Sequence, residues 1–420
     1  MNNQSDANFV YASPPCGAVK GRAERGMKVF LGIPYARADR FCLPERARWE
    51  GTFDATRFGE CCPQKRAYAD ESVYSPFYYR EFREGVGFRY GEDCLVLNVY
   101  APARGENLPV VLFVHGGSFF KGSADERPFD GEEYCKRGVI LVTMNYRLGA
   151  FGMLSDGSVP FNLALHDQFS ALEWVHDNIA AFGGNPDNVT FAGQSAGAIS
   201  VQIHALRRET AKYAARVVMM SGGGFLGGLF APHDQKYAVR FAKKVVAAAG
   251  VKDFDRLRKL DAEDLFKAWQ RAFDGSLTAQ IAVLPCMDGV LASRENYDRF
   301  DDERQLPALF GVTGKDIAPA IMRRAVKKYA ERSSADCYGY IFDLPLAGGG
   351  KKGAWHSCDL WFAFGTLSRS WRPFAAEDYE ASRRLADAVC SFASRGVPAS
   401  DGREWAKLPE KFEVFSPPRR

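Results

Sequence analysis

Ser195 sits in Gly193-Gln194-Ser195-Ala196-Gly197, between Val189–Ala192, which reads as a short strand, and Ala196–Arg207, which reads as a helix. A serine on so tight a strand-to-helix turn is lifted clear of both elements, and glycines two positions either side leave room for the turn. The turn also sets the N–H of Ala196 beside the hydroxyl, at a helix N-terminus where developing negative charge is favoured. A hydroxyl is a weak nucleophile until a base takes its proton. In this strand–turn–helix context an acid and then a histidine follow the serine in the chain. Three of the six histidines come later: His204, His233 and His356. His204 lies on the helix the serine opens, with no acid between them. His233 has only Glu209 before it and opens a charged helical stretch. His356, on a glycine-flanked loop after a late strand, is the predicted base.

The acid belongs on the loop after a late strand, where a buried carboxylate fixes the imidazole tautomer and stabilises the imidazolium formed during reaction. Asp316 stands there, just past the apolar run Leu306–Thr313. Asp336 also lies between Ser195 and His356, but it precedes a strand, which makes it the weaker candidate; spacing alone leaves both open. Negative charge on a substrate oxygen then needs donors. His115-Gly116-Gly117-Ser118-Phe119 closes the strand Leu108–His115, and glycines let backbone N–H groups approach such an oxygen closely.

The elements around these residues alternate strand and helix. Leu108–His115 and Gly138–Asn145 are continuous apolar runs, as expected of strands covered on both faces. Apolar residues recur at helical steps from Leu163 to Phe182, and GGNPDN at 183–188 reads as the turn that stops that helix. Ala215–Met220 and Tyr338–Leu344 are further strands, and a long helix runs from about Glu377 to Ser394. From about residue 225 to 305 charged, amphipathic helix replaces the pattern. With the Ser195 turn, which resembles the nucleophile elbow of α/β-hydrolases, the reading is an α/β protein of the α/β-hydrolase fold, one domain over residues 1–420. Its central, mainly parallel sheet carries helices on both faces, with a helical cap inserted over 225–305.

Composition agrees. The chain has 420 residues, 46% hydrophobic, 13% aromatic and 25% charged, with 55 basic and 51 acidic side chains. That excludes disorder over most of its length and gives no electrostatic reason to expect nucleic acid or an anionic membrane as a partner. The apolar run Leu108–Val114 is too short to cross a bilayer, and the N-terminal MNNQSDANF has neither a basic start nor an apolar run. The expectation is a cytoplasmic protein whose ten cysteines are mostly reduced core thiols, since none falls in a Cys-x-x-Cys or zinc-finger spacing.

The chain resembles the type-B carboxylesterase/lipase family, which includes cholinesterases and bacterial p-nitrobenzyl esterases. The likeness rests on FLGIPYA (30–36), GEDCLVLNVYAP (91–102), NLALHDQFSALEWVHDNIAAFGGNPDNVTFAGQSAG (162–197), PCMDG (285–289), HSCDLWFAFG (356–365) and SFASRGVP (391–398). It implies Ser195 as nucleophile, His356 as base, Asp316 in the acid's place, and the N–H groups of Gly117, Ser118 and Ala196 as an oxyanion hole. It implies no metal or cofactor, and a small ester as the partner. A lipase acting on longer glycerides is the nearest alternative, and a catalytically silent binding member of the same fold is the other. Three departures stand out. The family's acid is usually glutamate, so Asp316 must approach the histidine more closely. Only 40 positions separate Asp316 from His356, short for the family, which predicts a shallower, more open site. Cys62 and Cys94 match a family disulfide pair but are read as reduced. The aromatic stretch between them, Tyr68 to Tyr90, lacks tryptophan and reads equally as a self-packed loop or a substrate wall.

Overall fold

The computed structural model describes residues 9–224, 231–298, 300 and 305–417. Eleven strands form the spine of one sheet. They are β1 (Phe9–Ala12), β2 (Ala18–Glu24), β3 (Met27–Pro34), β4 (Val96–Pro102), β5 (Leu108–Val114) and β6 (Ile140–Met144), followed by β7 (Gly184–Gln194), β8 (Arg216–Met220), β9 (Ala308–Thr313), β10 (Cys337–Phe342) and β11 (Glu413–Phe415). They lie in the order β1-β2-β3-β4-β6-β5-β7-β8-β9-β10-β11, with Thr52–Asp54 added beside β2. Every pair from β6 to β11 is parallel, and the pairs from β1 to β4, with β4–β6, are antiparallel.

The apolar runs are buried because each strand feeds two cores. On β5, Val110, Leu112 and Val114 join the cluster on one face, while Val111 and Phe113 join the other. Successive side chains of a strand point to opposite faces, so a strand covered on both sides is apolar throughout. Helix α1 (Leu163–Asn178) brings Leu165, Leu172 and Val175 to the first face, where α2 (Ala196–Ala205) adds Val201 and Ile203. The C-terminal helix Ala376–Arg395 packs Leu385, Val389 and Phe392 on the second.

Two boundaries differ from the sequence reading. The α-helix stops at Asn178, and Ile179–Phe182 tightens into a 3-10 turn ending at left-handed Gly183. The segment GGNPDN is not only a turn. β7 already begins at Gly184, which pairs with Leu108, and the register shifts before Val189 pairs with Val110, so these residues form an irregularity in the ladder. Between β8 and β9 run α3 (Gln235–Ala249), α4 (Ala262–Ala272) and two shorter helices, Leu277–Ala282 and Arg294–Asp298. Residues 225–230, 299 and 301–304 of the expected insertion lie outside the described residues. Trp269 of α4 and Phe273 just past its end stack on each other and face Phe120, at 6.0 and 5.6 Å, tying this helical layer to the loop after β5. Cys62 and Cys94 are buried free thiols; hydrogen bonding to Cys62 and burial push the Cys94 thiol well above its ordinary range. Among the described residues no helix is long and apolar enough to cross a membrane.

β5 is flanked by β6 on one side and β7 on the other, so the loops leaving β5 and β7 depart in opposite directions. In parallel sheets a crevice opens at such a point, outside the carboxyl ends of the strands. The loops after β5, β7, β9 and β10 all emerge at that end, carrying residues 115–118, 195, 316 and 356.

Candidate active site

Ser195 has φ 55 and ψ −120, a conformation few non-glycine residues adopt. It is held by its N–H donating to Met220 at 2.8 Å and by the two elements it joins. The flanking glycines follow from the closeness of strand and helix. A Cβ on Gly193 would collide with the backbone of Gly197, and one on Gly197 with the Val114 carbonyl of the neighbouring strand. The turn leaves the Ser195 side chain partly exposed at the floor of a cavity of about 390 Å³.

Three residues from separate loops meet there. His356 Nε2 lies 2.9 Å from Ser195 Oγ, and His356 Nδ1 lies 2.6 Å from Asp316 Oδ1. The ring is 20% exposed and the aspartate side chain is fully buried. Asp316 also accepts from the Thr313 hydroxyl at 2.7 Å and from the Ile317 N–H at 2.8 Å. Burial alone would raise its pKa. The His356 hydrogen bond and charge, with the Thr313 hydroxyl, outweigh burial and hold the carboxyl below its ordinary range. The shorter aspartate reaches the ring because it stands three residues past the end of β9 and closes back on Thr313.

The other candidates lie elsewhere. His204 is buried between Phe169 and Phe191, with ring centres 5.7 Å from each. Burial first, then nearby Arg207, holds it well below the usual imidazole range. His233 pairs by backbone with Cys286 in the helical layer. Asp336 is at the amino end of β10, opposite the site, where Lys407 pairs with it at 2.8 Å.

The loop after β5 turns through Gly117 (φ 114), Ser118 (φ 56) and Phe119 (φ 63). Among the described residues no carbonyl accepts from the N–H of Gly117 or Ser118. Ala196 opens α2, so its N–H has no partner within the helix. Gly117, Ser118 and Ser195 line the same cavity. Gln194, which sequence reasoning passed over, lines it too; its amide donates to Ser357 Oγ at 2.8 Å and lies 3.3 Å from His356 Nε2.

Part of the aromatic stretch reaches the cavity. Tyr78 and Phe82 line the cavity while packing on Trp355, beside His356, with Phe77 5.0 Å from the same indole. A buried ion pair locks this wall in place. Glu81 accepts from Arg372 Nη2 at 2.6 Å and from Trp371 Nε1 at 3.0 Å, and Arg372 also donates to the carbonyls of Ala347 and Gly349. The same arginine thus pins the short segment before His356. Ser118, Lys315, Ile317 and Lys351 are exposed around the cavity, consistent with an open site.

Comparison with known proteins adds the family. The Carboxylesterase family model matches residues 7–323. The para-nitrobenzyl esterase of Bacillus subtilis (strain 168) is 31% identical over 463 residues, covering 94% of this chain and 92% of that protein. The bile salt-activated lipase of Rattus norvegicus is 33% identical over 308 residues, covering 69% of this chain and 48% of the lipase. A solved PNB esterase structure superposes with a TM-score of 0.83 at 28% identity, covering 97% of this chain and 95% of that one.

Proposed function

The chain belongs to the carboxylesterase family, as a carboxylic ester hydrolase of the α/β-hydrolase fold, and from that premise we propose that it cleaves small esters through an acyl-enzyme on Ser195. The observation that carries this reading is the unbroken line of hydrogen bonds from Asp316 through His356 to Ser195 Oγ. His356 takes the serine proton as Oγ attacks the ester carbonyl. The oxyanion so formed accepts from the N–H groups of Gly117, Ser118 and Ala196, each worth roughly 3 kcal/mol of barrier when aimed at that oxygen. His356 then protonates the leaving alcohol. A water activated by the same ring releases the acid and restores Ser195. Asp316 holds the proton on Nδ1, leaving Nε2 free to accept, and stays ionised throughout.

A substrate series of p-nitrophenyl esters tests whether this is an esterase or a lipase. Rates are expected to be highest for dissolved short acyl chains such as butyrate, with no jump at the concentration where longer esters aggregate. Activity confined to aggregated long-chain esters would assign the site to a lipase instead.

A further inference from the structure

Three lysines from three loops line the cavity that holds Ser195 and His356. Lys121 lies four residues past Gly117, Lys315 precedes Asp316, and Lys351 lies in the segment before His356. The two carboxylates in the cavity wall are already committed. Glu126 pairs with Arg83 at 2.8 Å and Arg66 at 3.3 Å, and Asp316 pairs with His356. Among the described residues none of the three lysines has a carboxylate at ion-pair distance.

Lys121 and Lys351 face the same phenol. Their Nζ atoms lie 5.3 and 4.5 Å from the centre of the Tyr78 ring, and Lys351 Nζ also donates to the Tyr78 hydroxyl at 3.0 Å. Lys121 is half-buried; burial first, then Arg83, against the opposing charges of Glu71 and Glu126 and with a smaller push from Lys351, leaves its ammonium below the ordinary lysine range. The Lys315 side chain is laid across Gly353, two residues from the Trp355 wall. Like charges around one cavity repel one another, and an anion among them relieves that repulsion.

We propose that the cavity selects esters bearing a second, ionised carboxyl group, which Lys121, Lys315 and Lys351 hold while Ser195 meets the ester carbonyl. The proposal rests on the reading of Ser195 as the nucleophile. It makes the preferred substrates half-esters of dicarboxylic acids or esters of carboxylate-bearing alcohols. The two differ in which side of the scissile bond carries the charge.

Two matched pairs separate these. Mono-4-nitrophenyl glutarate against 4-nitrophenyl valerate places the charge on the acyl side, and 4-acetoxybenzoate against 4-methylphenyl acetate places it on the alcohol side. The readout is the ratio of kcat/KM, anionic over neutral, in the unmodified enzyme and in Lys121→Gln, Lys315→Gln and Lys351→Gln. The ratio is expected to exceed unity in at least one pair and to fall roughly fivefold for each charge removed. In the unmodified enzyme it should also fall as salt rises from about 0.05 to about 0.5 M, an arm that needs no variant. Turnover of both esters at a ratio indifferent to salt and to all three substitutions overturns the proposal alone. With the enzyme-free rate subtracted, turnover of neither ester, or turnover that survives Ser195→Ala, overturns the esterase reading beneath it.

Discussion

Ser195→Ala is expected to lower kcat for p-nitrophenyl butyrate by roughly ten-thousand-fold or more, with the melting temperature nearly unchanged. The size of the effect follows from the geometry. Ser195 Oγ is the hydroxyl that His356 Nε2 faces at 2.9 Å, and without it the proposed acyl-enzyme has no atom to form on. The cavity and the free N–H groups of the loop after β5 remain, which leaves only the weak assistance of an oxyanion site to attack by water. The fold should hardly respond. Alanine carries the same strain as serine at φ 55, and the N–H of residue 195 still donates to Met220. Substantial surviving turnover, measured against an enzyme-free control, would place the nucleophile elsewhere.

Asp316→Asn is expected to cost about 10⁴-fold in kcat while leaving KM nearly unchanged. An amide facing His356 Nδ1 can donate to it, which pins the ring proton on Nε2 and leaves that nitrogen unable to accept from Ser195. The stability effect has a definite sign with pH. The folded carboxyl is held below its ordinary range, so the stability it contributes is present above the unfolded value of about 4 and is lost as pH falls through the folded one. The melting temperature of Asp316→Asn should therefore lag most at neutral pH and converge with the unmodified protein under acid. A near-normal rate in this variant would remove Asp316 from the relay.

How much was legible from residues depended on how local the cause was. The elbow at Ser195 is written in adjacent residues, because Gly193 and Gly197 are demanded by contacts that the turn itself creates. Strands β5 and β6 were plain because burial on both faces makes them almost wholly apolar. The two outermost antiparallel strands were not. Phe9–Ala12 and Ala18–Glu24 are short, partly exposed and carry Lys20, Arg22 and Glu24, so no apolar run marks them. Choosing between Asp316 and Asp336 needed strand polarity, which placed one at each end of the sheet. The lysines around the cavity left no mark in the sequence, since Lys121, Lys315 and Lys351 converge only through loops from different strands. The Glu81–Arg372 pair, which fixes the aromatic wall, joins residues far apart in the chain and was equally invisible.

His356, drawn in from the far end of the chain, is the group proposed to make the Ser195 hydroxyl reactive. Reaction with a fluorophosphonate, followed by digestion and mass analysis of the peptides, interrogates that reactivity without any choice of substrate. The predicted result is one equivalent of phosphonate, on the peptide and residue of Ser195, absent when His356 is replaced by alanine. Label on another residue, or no label on folded protein, would contradict it.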